Sequence, residues 1–294
     1  MAGQGTRILA SDYNAIQSIV ATVLGTGSGT YGYGQTVSSG QVAVGDKILA
    51  SQWANLRNDL LKIRQHQTGA DETGNLSNIS TSFIVREYDR AAFYNYALLC
   101  QTNALTTPPS GQASVVTLTT GTRTSPWNST VTHQVICNFG SSDNARYYFN
   151  TGSGIQFTPS LTGYPSDGSY AKSNDWNILL SGVGTVTMNS GSTSATGSGT
   201  GSSIGYATLT TSAQTIYSKS TSSPTYSNNK FDITAQKDAS GAIVTFNIRF
   251  EDLSGGGADE YVEGTLTSLV QAYCASGSNV SVTGLLPSIT PSGP

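Results

Sequence analysis

Apolar residues recur at two different periods along this chain, and the change of period divides it. In the first seventy residues they stand three and four apart, the spacing of one face of an α-helix. Tyr13, Ile16, Val20 and Val23 mark one such face, and Trp53, Leu56, Leu60 and Ile63 mark another. The two faces are related by a shift of forty residues, and Ile8-Leu9-Ala10-Ser11 recurs unchanged as Ile48-Leu49-Ala50-Ser51 at the same shift. Because the apolar positions keep this register, the segment reads as a duplication: an extended lead-in, a capped helix, a polar turn. Two copies do not make a solenoid.

Ser11 and Ser51 are placed to N-cap these helices, and Asp12 adds negative charge near the first N-terminus. Gly25 stands where a left-handed C-cap is wanted. Helices of about four turns cannot bury such a stripe alone. Tyr13, Ile16, Val20, Trp53, Leu56 and Leu60 are therefore the candidate interface and docking residues, packing on each other or on a neighbouring subunit. Between the copies, Gln35–Asp46 carries Val37, Val42 and Val44 between glycines, which predicts a short hairpin.

A third amphipathic segment runs from Ile84 to Ala104. Ile84, Tyr88, Ala91, Asn95 and Leu98 alternate steps of four and three, with Val85, Ala92 and Leu99 one heptad apart beside them. The pattern fits a subunit-contacting helix near a three-fold axis, and equally a helix packed on its own chain, since it falls short of the ~3–4 heptads that identify a coiled coil. Pro108 and Pro109 stop it.

From Ser114 onward the period is two. Val131, His133, Val135, Cys137 and Phe139 alternate in one run, and Val244, Phe246, Ile248 and Phe250 in another. Ser114–Thr119, Ala145–Asn150, Gly154–Thr158, Thr185–Met188, Thr215–Ser218, Phe231–Ala235 and Tyr261–Tyr273 are further predicted strands, with one short helix at Asp175–Leu180 capped by Ser173 or Asn174. The Gly/Ser tract Ser190–Gly205 reads as a flexible excursion, and the proline-bearing tail Leu286–Pro294 as irregular. The fold class is mainly β, an antiparallel sandwich or small barrel, with a small N-terminal helical region containing the duplicated helix motif. The domains follow: 1–70 a duplicated helical anchoring region, 71–110 a linker with the amphipathic helix, 111–294 a β-rich domain.

Composition narrows the chemistry. Of 294 residues only 11% are charged, against ~25% in an ordinary soluble domain. A net charge of −3 argues against nucleic acid as a partner. No run approaches the ~20 apolar residues of a membrane span, and Met1–Leu9 lacks the apolar core of a secretory signal. Cys100, Cys137 and Cys274 are isolated and odd in number, so each reads as a small buried hydrophobe. No cofactor and no resident metal are expected.

The chemical motifs fail on context. Gly27-Ser28-Gly29-Thr30-Tyr31-Gly32 has the glycine spacing of a dinucleotide loop but follows a helix instead of a strand. Gly201-Ser202-Ser203-Ile204-Gly205 imitates a nucleophile elbow, yet His66 and His133 both precede it. His66 reads as a helix-terminal contact and His133 as a satisfied core histidine. Glu251, Asp252, Asp259, Glu260 and Glu263 surround Gly255–Gly257, where a hard cation or a solvated hairpin tip are the two readings. Paired-carboxylate glycoside hydrolysis has no cleft marked for it in the sequence. Tyr147, Tyr148, Tyr164, Tyr170 and Trp176 could stack sugars or pack a core.

Two stretches carry a resemblance. Ile8–Gly25 with Ile48–Gly69, which includes Ser51-Gln52-Trp53-Ala54-Asn55-Leu56-Arg57-Asn58-Asp59-Leu60 and His66-Gln67-Thr68-Gly69, is one; Phe139-Gly140-Ser141-Ser142-Asp143-Asn144-Ala145-Arg146-Tyr147-Tyr148-Phe149-Asn150 is the other. Both resemble structural, fibre-like proteins of tailed-bacteriophage virions, as in phages of marine bacteria and cyanobacteria. The resemblance implies a non-enzymatic virion component of the tail, neck or baseplate, and it transfers no catalytic residue. The expected partners are further copies of the chain, with a trimer favoured, and other virion proteins. The alternatives are a receptor- or glycan-binding adhesin module touching a host surface glycan, and a capsid-decorating protein.

Overall fold

The computed structural model describes residues 8–106, 113–165, 169–254 and 259–293. The expected stop at Pro108-Pro109 and the turn Gly255–Gly257 lie outside them. The chain divides into two compact units: 1–114 with 146–152 and 274–284, and 115–145 with 153–273 and 285–294.

The first unit is helical. Helices α1 (Ala10–Leu24), α2 (Ala50–Thr68) and α3 (Glu87–Thr102) share one core. The forty-residue spacing explains how. Tyr13 meets Trp53 edge-on with ring centroids 5.3 Å apart, and Trp53 meets Phe93 the same way at 5.1 Å. Positions 13, 53 and 93 are each forty apart, and the series repeats one turn on as Ile16, Leu56 and Tyr96, then as Val20, Leu60 and Cys100. All nine are buried. A third copy of the core spacing is thus present, and α3, expected within a linker, belongs to this unit's interior.

The helices begin at Ala10 and Ala50, one residue before the serines expected to cap them. The capping contacts run backwards from the first turn instead: Leu9 N–H donates to Asp12 Oδ2 (2.9 Å) and Leu49 N–H to Gln52 Oε1 (2.7 Å). Gly69 ends α2 in the left-handed conformation, φ 71°. Gly25 ends α1 in extended backbone, φ −78° and ψ −150°, so its glycine answers crowding: a Cβ there would lie 2.7 Å from Ala21 O.

No hairpin forms at Gln35–Asp46. The segment runs extended along α1 and α2 because side chains take the place of a partner strand. Asn14 both accepts from Val42 N–H (2.8 Å) and donates to Val42 O (2.9 Å), and Gln17 donates to Ser39 O (3.1 Å).

The second unit is mainly β, as expected: a sandwich of two five-stranded sheets. Its strands are β1 (Ala113–Arg123), β2 (Thr130–Asn138), β3 (Gly154–Thr162), β4 (Val186–Met188), β5 (Thr193–Ala195), β6 (Gln214–Ser220), β7 (Lys230–Lys237), β8 (Ile243–Glu251), β9 (Thr265–Ala275) and β10 (Ser288–Ser292). The sheet orders are β1-β9-β3-β4-β5 and β10-β2-β8-β7-β6. Alternate residues of β3 and β8 face inward, and Phe157 meets Phe246 across the core with centroids 4.9 Å apart.

Three expectations for this region need correction. Ala145–Asn150 lies in helix α4 (Ser142–Asn150), because Ala145, Tyr148 and Phe149 are the buried positions and their spacing is helical; Ser141 Oγ accepts Asn144 N–H at 3.1 Å as its cap. The tail is paired: β10 runs antiparallel to β2 with Ile289 opposite Cys137. The tract Ser190–Gly205 is knitted into the sheet, with Thr193 and Ser202 exchanging both backbone bonds (2.9 and 3.0 Å) and Thr200 and Ser218 doing likewise (2.8 and 3.0 Å). Its glycines serve close approach, since a Cβ on Gly197 would strike Gly182 O and one on Gly199 (φ +129°) would strike the Tyr217 hydroxyl.

Candidate functional site

Tyr13, Ile16, Val20, Trp53, Leu56 and Leu60 are buried to 2% exposure or less inside the helical unit. There they hold α1, α2 and α3 together, and no surface of these six side chains faces outward. The outward apolar residues lie elsewhere. Of twelve exposed large hydrophobics among the described residues, eight belong to the helical unit, and Ile84, Tyr88, Leu98, Leu99 and Leu105 of these follow α3 and its flanks. This is the heptad-spaced stripe seen in the sequence. The helix packs inward through a different face, Phe93, Tyr96, Ala97 and Cys100.

The buried ionisable groups Asp59 and His66 of the helical unit are drawn into structural bonds. Asp59 on α2 is fully buried and accepts from Ser38 N–H (3.0 Å), Ser38 Oγ (2.7 Å) and Ser39 N–H (2.7 Å), which fixes the extended segment to the helix. His66 is buried with Nε2 at 3.0 Å from Thr151 O. The glycine loop after α1 offers carbonyls rather than amides: Arg146 Nη1 donates to Tyr31 O (2.6 Å), and Asn150 Nδ2 to Thr30 O (2.8 Å) and Gly32 O (3.2 Å). A phosphate cradle requires the opposite polarity.

In the β unit the acidic cluster is divided between neutralising partners. Lys172, at the start of helix α5 (Ala171–Ser181), donates to Asp252 at 2.8 Å with both side chains buried, while its backbone N–H donates to Asp259 (3.0 Å). That contact does the work expected of Ser173 or Asn174; Ser173 Oγ instead accepts Glu263 N–H (2.8 Å). Glu251 joins Asp232, Lys230 and Arg249 in a four-membered ion network. Among the described residues no group of three or more His, Cys, Asp or Glu is arranged to hold a metal. Asp175 lies near this pair; burial raises its pKa, Thr221 Oγ1 donating at 2.6 Å opposes the rise, and the Asp252 charge adds to it.

His133 is buried on the inner face of β2, and neither ring nitrogen has a hydrogen-bond partner in the structure. It is a core residue as expected, but an unsatisfied one, and burial lowers its pKa. Cys100, Cys137 and Cys274 are free and buried, the thiols of Cys100 and Cys137 pushed up to about 12 chiefly by that burial. Of the aromatics considered for sugar stacking, Tyr148 and Trp176 are fully buried, and Trp176 packs edge-on against Trp127 at 4.8 Å.

The β unit has a concave feature of the size of a ligand site. A cleft of about 610 Å³ lies between the end of α5, the Ser198–Thr200 bend and residues 218–222, which end β6 and follow it. Lys219 and Ser/Thr side chains share its walls with Ile178 and Leu179, so that the lining is polar and apolar in about equal parts. Lys219 Nζ donates to Leu179 O at 2.9 Å, and burial lowers its pKa. Nothing in the sequence pattern pointed here, because the cleft depends on the ordered Gly/Ser tract.

The class defined by these features is a mainly β sandwich protein with a helical unit that, among the described residues, carries most of the exposed large apolar side chains. No helix among the described residues is long and apolar enough to cross a membrane. No protein-family model, curated protein or solved structure matches the chain.

Proposed function

We propose that the protein is a non-enzymatic structural component of a tailed-bacteriophage virion, a homo-oligomeric appendage of the tail, neck or baseplate. The observation that carries the assembly reading is the exposed apolar face of α3 on a unit whose own core is already complete. Patches of this kind mark protein contacts. The low charge of the chain supports the same reading, since few charges oppose association. The virion itself rests on the sequence resemblance of the α1–α2 segment and of residues 139–150. The helical unit, through α3 rather than through the buried duplicated faces, is the docking part, and the β unit is the projecting part. Locating a tagged copy in purified particles by electron microscopy tests it: density at the tail, neck or baseplate supports the reading, density on the capsid surface makes the protein a decorating one, and absence from particles overturns it.

The hydroxyl-lined cleft near Lys219 favours a second reading, an adhesin that holds a host glycan. Binding of the full chain to a glycan array, lost in Lys219→Met, supports it; an array without signal removes it.

A further inference from the structure

The cations of the β unit differ in what answers their charge. Lys172, Lys230 and Arg249 each hold a carboxylate, and hydrogen bonds to Asp232 lead in raising the pKa of the last two. Lys219, on the wall of the cleft, makes no ion pair among the described residues. Its ammonium donates to the neutral Leu179 O at 2.9 Å, and burial lowers its pKa with no carboxylate opposing the change. An ammonium carries three hydrogens, so two remain for a ligand. Asp175 is buried and spends one oxygen on the hydroxyl of the wall residue Thr221 (2.6 Å). The glycine beside Lys219 keeps room for it. Gly182 follows α5 at φ −72° and ψ −12°, a conformation open to any residue, yet a Cβ there would collide with Lys219 Nζ. Gly182 O also accepts Ser198 N–H (2.8 Å) and Ser198 Oγ (3.1 Å), which ties the Gly/Ser tract to the helix and builds the cleft before a ligand arrives.

Resting on the reading of this cleft as a glycan site, we infer that it takes a saccharide bearing a carboxylate or sulfate, with the acid group on Lys219. The walls match both halves of such a molecule. Exposed Ile178, with Leu179, offers an apolar surface to the C–H face of a sugar ring. The hydroxyls of Thr200, Ser218, Ser220 and Ser222 form no hydrogen bond with the described residues and can donate to or accept from sugar hydroxyls. A bare inorganic anion would use the ammonium and leave the apolar wall uncovered. A nucleotide base would find no aromatic ring in the lining. A neutral sugar would leave the lysine without a counter-ion, whereas an acid group forms a charge-assisted bond that partial burial strengthens.

The experiment applies the full chain to an array of neutral, uronate-bearing and sulfated glycans, where it is expected to select acidic members. Calorimetric titration then compares a selected glycan with its neutral counterpart, the methyl ester of a uronate or the desulfated form of a sulfate. The acidic form is expected to bind about tenfold tighter or more. Lys219→Met is expected to abolish that preference, and Gly182→Ala, which keeps the charge but displaces the ammonium, to reduce it, both with the thermal melt retained. Equal affinity for acidic and neutral forms, or a preference that Lys219→Met leaves intact, overturns the acid assignment while the glycan reading stands. Inorganic sulfate binding as tightly as the glycan makes this a bare anion site and overturns the saccharide. An array without signal overturns both the inference and the glycan reading.

Discussion

Replacing Asp59 tests whether one buried carboxylate holds the helical unit in its observed form. Its oxygens accept three donors, the Ser38 and Ser39 amides and the Ser38 hydroxyl, between 2.7 and 3.2 Å. Hydrogen bonds to a charged group contribute ~1.5–3 kcal/mol each, but Asp59→Ala also removes the cost of burying the charge, several kcal/mol, so the sum of the bonds overstates the loss. Ser38 is exposed and its donors can turn to water, whereas Ser39 is buried and its N–H would be left unpaired. The net expectation is a destabilisation of about 2–4 kcal/mol for Asp59→Ala. Asp59→Asn keeps one acceptor for the Ser39 amide and turns an NH₂ toward Ser38, for a loss of about 1–2 kcal/mol. Urea unfolding followed by Trp53 fluorescence reads the helical unit, and amide exchange at Ser38 and Ser39 should quicken in both variants. An Asp59→Ala loss under ~0.5 kcal/mol, or a loss for Asn as large as that for Ala, would refute the reasoning.

Gly199→Ala and Gly191→Ala sit in the same Gly/Ser tract and should behave oppositely. The first meets the Tyr217 hydroxyl at φ +129° and should cost about 1–3 kcal/mol, the second meets nothing within 4 Å and should be near neutral; equal effects in chemical denaturation would mean a flexible tract. His133 has its folded pKa lowered by burial from the ordinary 6.5, so the unfolded chain binds the extra proton and stability should fall as pH drops below about 6.5, by up to ~1.4 kcal/mol per pH unit. His133→Leu should flatten that limb of a denaturation series, and an unchanged slope would count against an unpartnered core histidine. Asp175 has its folded pKa raised, so its contribution is present at acid pH and lost as pH climbs through the folded value. Asp175→Asn should therefore raise the melting temperature at pH 7 and do so less at pH 4; an equal shift at both would show that charge is not the cause.

The sequence carried the period of each element better than its partner. The forty-residue shift from Tyr13 to Trp53 located two helices and their buried faces, and the twofold alternation located β2 and β8 within a residue or so. What it lacked was direction. α3 has two apolar faces, and the heptad-spaced one drew attention while the forty-residue series through Phe93, Tyr96 and Cys100 was the one that packs inward. Residues 145–150 alternate well enough for a strand, yet tertiary burial of Ala145, Tyr148 and Phe149 selects a helix. Glycine was the least legible residue. In Ser190–Gly205 it suggested freedom, whereas here it permits backbone to pass over backbone, and the cleft beside Lys219 exists only because that tract is fixed.

Scarcity of charge has a specific physical form in this fold. Lys172 is committed to Asp252, Arg249 and Lys230 to Asp232 and Glu251, and Arg90 to Glu87. Charges that are few and internally paired contribute little repulsion between copies, so contact between exposed faces is governed by apolar area and side-chain shape. The Ser- and Thr-rich strands of the β unit expose hydroxyls that water satisfies, and among the described residues its exposed large apolar side chains are the scattered Leu118, Ile178, Leu253 and Tyr261. The helical unit is different, because five of its exposed apolar residues lie along α3 and its flanking segments, with the Arg86 guanidinium over Tyr88 at one end. On the proposed assembly reading, association is directed to that face. Leu98 and Leu99 should then govern self-association far more than any change at Ile178 or Leu253, and a variant series read by light scattering would separate the two.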